Sequence, residues 1–211
     1  MLQWVNGDHV DLRYRGNELK RRKIWAQAGN VRDGVFIYSY TGFTYPVALA
    51  TSNWLDDEAL TAMSTSMNAF VGEVLGGPEM NHLIITAYDS GSHNIGFHYD
   101  KARSIAPDSW IAILKLGPSS RRFALRKRAS GGEDQDKMPM LFDEVVPAGT
   151  LILFDMNTNL ATQHGVPVTD DETVGLSGSV VWRSITTMMD QDELHKRVQR
   201  TRKARGKRKR V

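Results

Sequence analysis

Cysteine is absent from this chain of 211 residues. That excludes disulfides, thiolate metal sites and cysteine nucleophiles, and it fits a reducing compartment. Also lacking is any apolar run long enough for a membrane span. The opening residues MLQWVNGDHV have no basic segment leading into an apolar stretch, so they predict no signal peptide. There is no internal repeat. These absences together predict an intracellular protein of the cytoplasm or nucleoid (the nucleus for a eukaryotic or eukaryotic-virus source), neither secreted nor membrane-bound.

Acidic residues are missing from the strongly basic end of the chain. Residues 196–211, KRVQRTRKARGKRKRV, hold 10 Lys and Arg and no acid. The chain carries a formal net charge of +3, yet without this segment 17 basic residues face 24 acidic ones. A block of like charge repels itself and cannot bury a core, so the segment is expected to be a disordered basic arm. Such an arm suits phosphate contacts with nucleic acid, independent of sequence. It equally suits a solubilising or targeting tail.

A hydrophobic fraction of 41% suffices for one substantial core. The early segment YRGNELKRRKIW is a basic loop, and GVFIYSYTGFTY has the alternation of a strand pair or hairpin. Asp56 or Asp57 can cap a helix placing Leu60, Met63, Met67, Phe70, Val71 and Val74 on one face, and GGPE closes it. From Asn81 the pattern turns to strands: NHLIITAY, IGFHYD, WIAILKLG, RRFALRKR, TLILFDM and GSVVWRSITT. Many short strands after an α+β beginning indicate a barrel or sandwich with flanking helices. Residues 1–80 are expected to form an extension with a supporting helix, 81–189 the strand-rich core, and 190–211 a short helix, capped by Asp190 or Asp192, that fades into the basic arm.

His98 and Asp100 form an H-x-D at the end of a strand. On its own such a motif arises readily by chance. A third candidate ligand, His164, follows the strand TLILFDM and the loop NTNLATQ. Two His and one carboxylate can occupy one face of an octahedral Fe(II) and leave three positions open for cosubstrate and dioxygen. His164 reads equally as a turn residue in QHGVP. Two cations stand in core-like strands, Lys115 in IAILKLG and Arg183 in SVVWRSI. A buried carboxylate of a dicarboxylate cosubstrate would need such a cation, Arg above all for its paired donors. The plainer alternative is a charge on an edge strand, facing water.

The segments NHLIITAYDSGSHNIGFHYDKA, SWIAILKLGPSSRRFALR, NTNLATQHGVPV and SGSVVWR follow one another in an order that resembles the AlkB-like branch of the Fe(II)/2-oxoglutarate dioxygenases. The resemblance runs from about Arg15 to Thr187. It implies an α+β protein with a double-stranded β-helix (jelly-roll) core, an N-terminal α/β nucleotide-recognition extension and flanking helices. It implies Fe(II) held by His98, Asp100 and His164 as the catalytic centre, with 2-oxoglutarate as cosubstrate and O2 as oxidant. The chemistry would be hydroxylation of a C–H bond, with loss of formaldehyde where that carbon sits on nitrogen.

Three positions depart from the family pattern. The Asn-x-Tyr pair that contacts 2-oxoglutarate is Thr86-x-Tyr88 here, and the first of two Arg on the last strand is Ser177. Strand periodicity puts Lys115 on the face with Ile111 and Ile113, so Lys115, or Arg183 in a shifted role, is expected to hold the distal carboxylate. The acid often found two residues past the metal Asp is Ala102, which cannot favour a cationic base. A neutral methyl or alkyl group on a nucleic-acid base is therefore the expected substrate, in DNA or RNA. Tyr38 and Tyr40 match positions that stack on an extruded base. Arg21, Arg22 and Lys23 in KRRK would contact phosphate. Rival readings are a protein or small-molecule hydroxylase and an inactive nucleic-acid-binding homologue. A monomer is expected.

Overall fold

The computed structural model describes residues 13–14, 17–18, 21–29, 33–36, 52–190, 192–193 and 196. Tyr38, Tyr40 and almost all of the basic arm lie outside these residues, as does most of the hairpin expected around them.

Two short strands, β1 (Arg13–Tyr14) and β2 (Asn17–Glu18), pair with each other. Then come β3 (Arg22–Gln27), β4 (Val35–Phe36) and β5 (Ser52–Asn53). Helix α1 (Glu58–Leu75) follows, and after it β6 (His82–Tyr88), β7 (Ile95–His98), β8 (Ile111–Leu116) and β9 (Arg121–Lys127). The chain continues through β10 (Met140–Val146), β11 (Leu151–Phe154), helix α2 (Met156–Ala161), β12 (Thr162–Val166), β13 (Ser177–Arg183) and β14 (Met188–Met189).

These strands build two main sheets. The larger has the order β11-β8-β13-β6-β3-β5 and the smaller β10-β9-β12-β7. Apart from the parallel β3–β5 contact, their pairings are antiparallel. From β6 to β13 successive strands alternate between the two sheets, with only β9 and β10 consecutive in one sheet, which makes a double-stranded β-helix. The expected fold is the one observed. Strand β3, from the N-terminal part, pairs with β6 along its whole length, so the extension continues the core sheet. Within the described residues β4 pairs with β14 near the far end of the chain.

Period-2 alternation sorts the large sheet into two faces. Trp25, Ile84, Ile113 and Val181 point between the sheets and meet Phe123, Val146 and Val166 of the small sheet. Ala26, Leu83, Ile85, Ala112, Val180 and Trp182 point the other way, onto α1. Both faces are covered, which is why these strands read as continuous apolar runs. Full burial of a side chain such as Leu83 contributes about 1.5–3 kcal/mol.

Helix α1 begins where the Asp57 carboxylate accepts from the Leu60 N–H at 2.8 Å. It ends at Gly76, whose φ of 65° is the left-handed cap that glycine adopts without penalty. The buried stripe is Leu60, Ser64, Met67 and Val71. Phe70 and Val74, expected on that face, are exposed. The stripe is rotated toward Ser64 because Trp182 Nε1 donates to Ser64 Oγ at 2.9 Å and draws that side of the helix onto the sheet. Asp190 accepts from the Glu193 N–H at 2.7 Å, as a cap for the segment after β14. Among the described residues no helix is long and apolar enough to cross a membrane.

Candidate metal centre

His98 ends β7 and His164 lies in β12, and the antiparallel register sets the two directly opposite. Their ring centroids are 4.4 Å apart. Gly165 allows this closeness, since a Cβ there would stand 2.9 Å from the Ile95 carbonyl oxygen of β7. Asp100 follows two residues after His98, and its Oδ1 is 4.0 Å from His98 Nε2. One ligand atom from each of the three residues lies within 4.8 Å of the others. His98 Nδ1 lies 2.9 Å from the Gly96 carbonyl oxygen, so as the N–H tautomer it donates there and leaves Nε2 as the ligand atom.

The surroundings prepare these groups for a cation. Burial is the largest influence on the Asp100 carboxyl and would raise its pKa. The Arg183 guanidinium and the two imidazoles outweigh it and hold the group below the ordinary carboxylate range. Arg183 donates to Asp100 Oδ2 from Nε at 2.7 Å and from Nη2 at 2.5 Å. Burial, and then His164, push His98 down to about 3, and burial pushes His164 down as well. Both imidazoles are therefore neutral and free to ligate at pH 7. Asn159 of α2 fixes the Asp100 backbone from both sides. Its Oδ1 accepts from the Asp100 N–H at 2.8 Å, and its Nδ2 donates to the Asp100 carbonyl at 2.9 Å. The stretch expected as a loop before His164 is thus partly the short helix α2, begun by Asp155, which accepts from the Thr158 N–H at 2.7 Å.

The triad opens onto a cavity between the two sheets, lined also by Lys23, Thr86, Tyr88, Lys115, Ser179 and Arg183. Lys115 is only 2% exposed. Burial, and then Arg121, push it down to about 8. Its Nζ lies 5.8 Å from the Tyr88 ring centroid, and the Arg121 guanidinium carbon lies 5.9 Å from the same point. Arg121 gives Nη2 to the carbonyls of Gly91 at 2.8 Å, Pro167 at 3.0 Å and His93, but its Nε and Nη1 are buried without hydrogen-bond partners. Ser177 Oγ is likewise buried and unpartnered. No acid among the described residues forms an ion pair with Lys115 or Arg121. Lys115, in the cavity, and Arg121, near the same Tyr88 ring, are therefore two cations with no acid as ion-pair partner among the described residues.

The expected residues fall into place unevenly. His98, Asp100 and His164 converge. Thr86, Tyr88 and Lys115 line the cavity together, with Ser177 beside Tyr88 in the register. Arg183 lines the cavity too, and it binds Asp100. Arg22 and Lys23 of the KRRK segment are not in a solvated loop. Arg22 and Lys23 open β3, whose alternation turns Arg22 outward onto Asp89 and Lys23 inward into the cavity. Arg21 donates to the Asn94 carbonyl at 3.1 Å. Ala102 sits half-buried against the core. Sequence reasoning passed over Arg121 and Asn159. Arg121 opens an alternating strand just after Lys115, and Asn159 lies five residues before His164. Their positions gave the only signal available.

No family model matches the sequence, and no curated protein does. Among solved structures, the chain is similar to the non-heme α-ketoglutarate-dependent epimerase SnoN of nogalamycin biosynthesis. That similarity has a TM-score of 0.53 and 11% identity, over 87% of this chain and 70% of that one. Looser similarities, with TM-scores of 0.49 and 0.41, link it to a bsmA homologue of Methylobium petroleophilum and a prolyl-4-hydroxylase of Pseudomonas putida. Identities there are 8% and 16%, with coverage of 90% and 78% of this chain and 79% and 72% of theirs. The SnoN likeness accords with the double-stranded β-helix.

Proposed function

We propose that this chain is an Fe(II)- and 2-oxoglutarate-dependent dioxygenase that oxidises a methyl or alkyl group on a nucleic-acid base. One observation carries the enzyme class. A His-Asp-His triad shares a cavity with a buried cation that has no acid as ion-pair partner, Lys115, and a second such cation, Arg121, lies near the same Tyr88 ring. Burying charge without a counter-charge is costly. A dicarboxylate with one end at the metal and the other between Lys115, Arg121 and Tyr88 removes that cost.

The donor set fits the metal. Two neutral imidazoles on adjoining β7 and β12, with the carboxylate that follows β7, suit non-heme Fe(II), which keeps three positions open. When bound, iron with a 2-oxo acid and dioxygen supplies an oxidant for a nearby C–H bond, and 2-oxoglutarate leaves as succinate and carbon dioxide. The protein's own part is positional. Arg183 and Asn159 orient Asp100, Gly96 orients His98, and Lys115 sets the direction of the cosubstrate. Thr86 and Ser179 offer hydroxyls between the two ends.

The nucleic-acid substrate rests on the resemblance of the sequence and on the basic arm. Ala102 in place of an acid supports a neutral alkyl group over a cationic base. The test is incubation with Fe(II), 2-oxoglutarate and DNA or RNA, following succinate and nucleoside mass. We expect succinate formation that His98→Ala abolishes, together with a hydroxylated nucleoside or the loss of a methylated one. Succinate unaffected by any nucleic acid points to a protein or small-molecule hydroxylase. Absence of both iron binding and turnover leaves a binding module.

A further inference from the structure

Strand β7 carries His98 and leads directly into Asp100. It has four residues and lies at the edge of the small sheet. Among the described residues it pairs only with β12, in a register that shifts between His164 and Val166. One end of β7 is His98 itself. The other follows the turn of residues 89–94, which arginines tie down. Arg21 donates to the Asn94 carbonyl at 3.1 Å, and Arg22 Nε donates to the Asp89 carboxylate at 3.1 Å. Arg121 reaches further. Its Nη2 meets the carbonyls of Gly91 and His93 in the turn and that of Pro167, the residue after β12. One nitrogen thus clips the entry of β7 to the exit of β12, the two strands that bear the imidazoles.

A clip alone does not call for this side chain. Arginine has five N–H donors, two of them on Nη2. Here Nη2 faces the three carbonyls, while Nε and Nη1 are buried without hydrogen-bond partners. Arg121 is buried, and no acid among the described residues forms an ion pair with it. Its guanidinium carbon and Lys115 Nζ lie 5.9 and 5.8 Å from the centre of the Tyr88 ring. Arg121 opposes the Lys115 ammonium, adding to the effect of burial. This repulsion between like charges works against the clip. An anion beside Lys115 offsets it for both cations, because charges inside a protein are weakly screened.

We propose that Arg121 is a positioning residue that couples the anionic far end of the cosubstrate to the seating of β7, and through β7 to His98 and Asp100. This rests on reading the cavity as a 2-oxo-acid site. Arg121 acts through the backbone it holds. When a carboxylate sits at Lys115, the buried guanidinium is favoured where it stands, and β7 stays against β12. Such coupling is reciprocal, so a well-seated β7 in turn favours the acid. The feature being read is the carboxylate remote from the 2-oxo group. A 2-oxo acid without it leaves the clip loose.

The test is amide hydrogen exchange over residues 89–98, read by mass spectrometry, since exchange reports local opening. Mn(II) replaces iron and oxygen is excluded. Each protein is saturated with 2-oxoglutarate or with 2-oxobutanoate, which offers the metal the same 2-oxo carboxylate but lacks the far one. Calorimetry fixes the saturating concentrations. The proteins are the wild type, Arg121→Met and Arg121→Lys, which keeps the charge, and circular dichroism checks that each is folded. In the wild type we expect exchange slower with 2-oxoglutarate than with 2-oxobutanoate, by about 5-fold or more. Arg121→Met should lose that difference and Arg121→Lys should keep part of it. A difference undiminished in Arg121→Met, or absent from the wild type while both acids bind, overturns the coupling and leaves Arg121 a structural clip. Where Arg121→Met does not fold, Arg121→Lys decides, and loss of the difference with the charge in place overturns the coupling. If the wild type binds neither acid, the 2-oxo-acid reading falls and the assignment falls with it.

Discussion

Arg183 Nε donates to Asp100 Oδ2 at 2.7 Å, across 83 residues of sequence, and both side chains are buried. The last strand of the core thus holds the carboxylate that follows β7. The pair ties the two sheets together at the triad and leaves Asp100 Oδ1, the oxygen nearer His98, free to ligate.

Arg183→Met removes one partner of this pair and leaves a buried carboxylate. Breaking a buried pair in this way costs about 3–5 kcal/mol. We expect a large loss of stability in urea denaturation. In the protein that remains folded, Asp100 should take up a proton at a higher pH than in the wild type and Mn(II) affinity should fall, both measurable by calorimetry.

Asn159→Ala deletes two hydrogen bonds to the Asp100 backbone. Leaving the buried N–H and carbonyl unmet costs about 1–3 kcal/mol each at most. Loss of a group that orients a ligand typically lowers metal affinity about 10–100-fold. Mn(II) titration of the variant should show that drop while the circular dichroism spectrum stays that of the wild type.

Gly165→Ala puts a methyl 2.9 Å from the Ile95 carbonyl and 3.2 Å from the Phe97 nitrogen. Both are backbone atoms of the neighbouring strand and cannot rotate away. We expect β12 and β7 to be forced apart and His164 to move off His98. Metal affinity should fall further than overall stability does, as seen by comparing Mn(II) titration with thermal unfolding.

Lys115 gives a pH dependence. Burial lowers its pKa to about 8 in the free protein, against about 10.4 in an unfolded chain. Below 8 the ammonium is charged in both states and its burial cost is fully present. As pH rises from 8 through 10.4 the folded state sheds the proton first, so this group's contribution makes the fold more stable. Cosubstrate binding runs the other way. The affinity for 2-oxoglutarate should fall as pH rises above about 8, and Lys115→Met should remove most of that fall.

The strands were legible in the sequence because apolar runs and turn residues are local pattern, whereas the H-x-D and the distant His stood out as ligands only through the resemblance in motif order. Arg183 was visible as a charge in an apolar strand, but its partner was not. Which buried carboxylate it meets depends on how β13 and the end of β7 lie across the sheets. Lys23 looked like one of four equal basic residues. Only the pairing of β3 with β6 divides them, sending Arg22 out to Asp89 and Lys23 into the cavity.

By itself, then, the sequence determined a strand-rich class from hydrophobic period, a property of short stretches, while the double-stranded β-helix and the three candidate ligands came from the resemblance of its motif order to a known family. Tertiary structure decided which cations share the cavity and which lack a counter-charge. A row such as Lys23, Thr86, Ser179 and Lys115, each opposite the next in register, comes from four strands scattered along the chain. It exists only once register has aligned them, because interstrand hydrogen bonds fix which residues stand side by side.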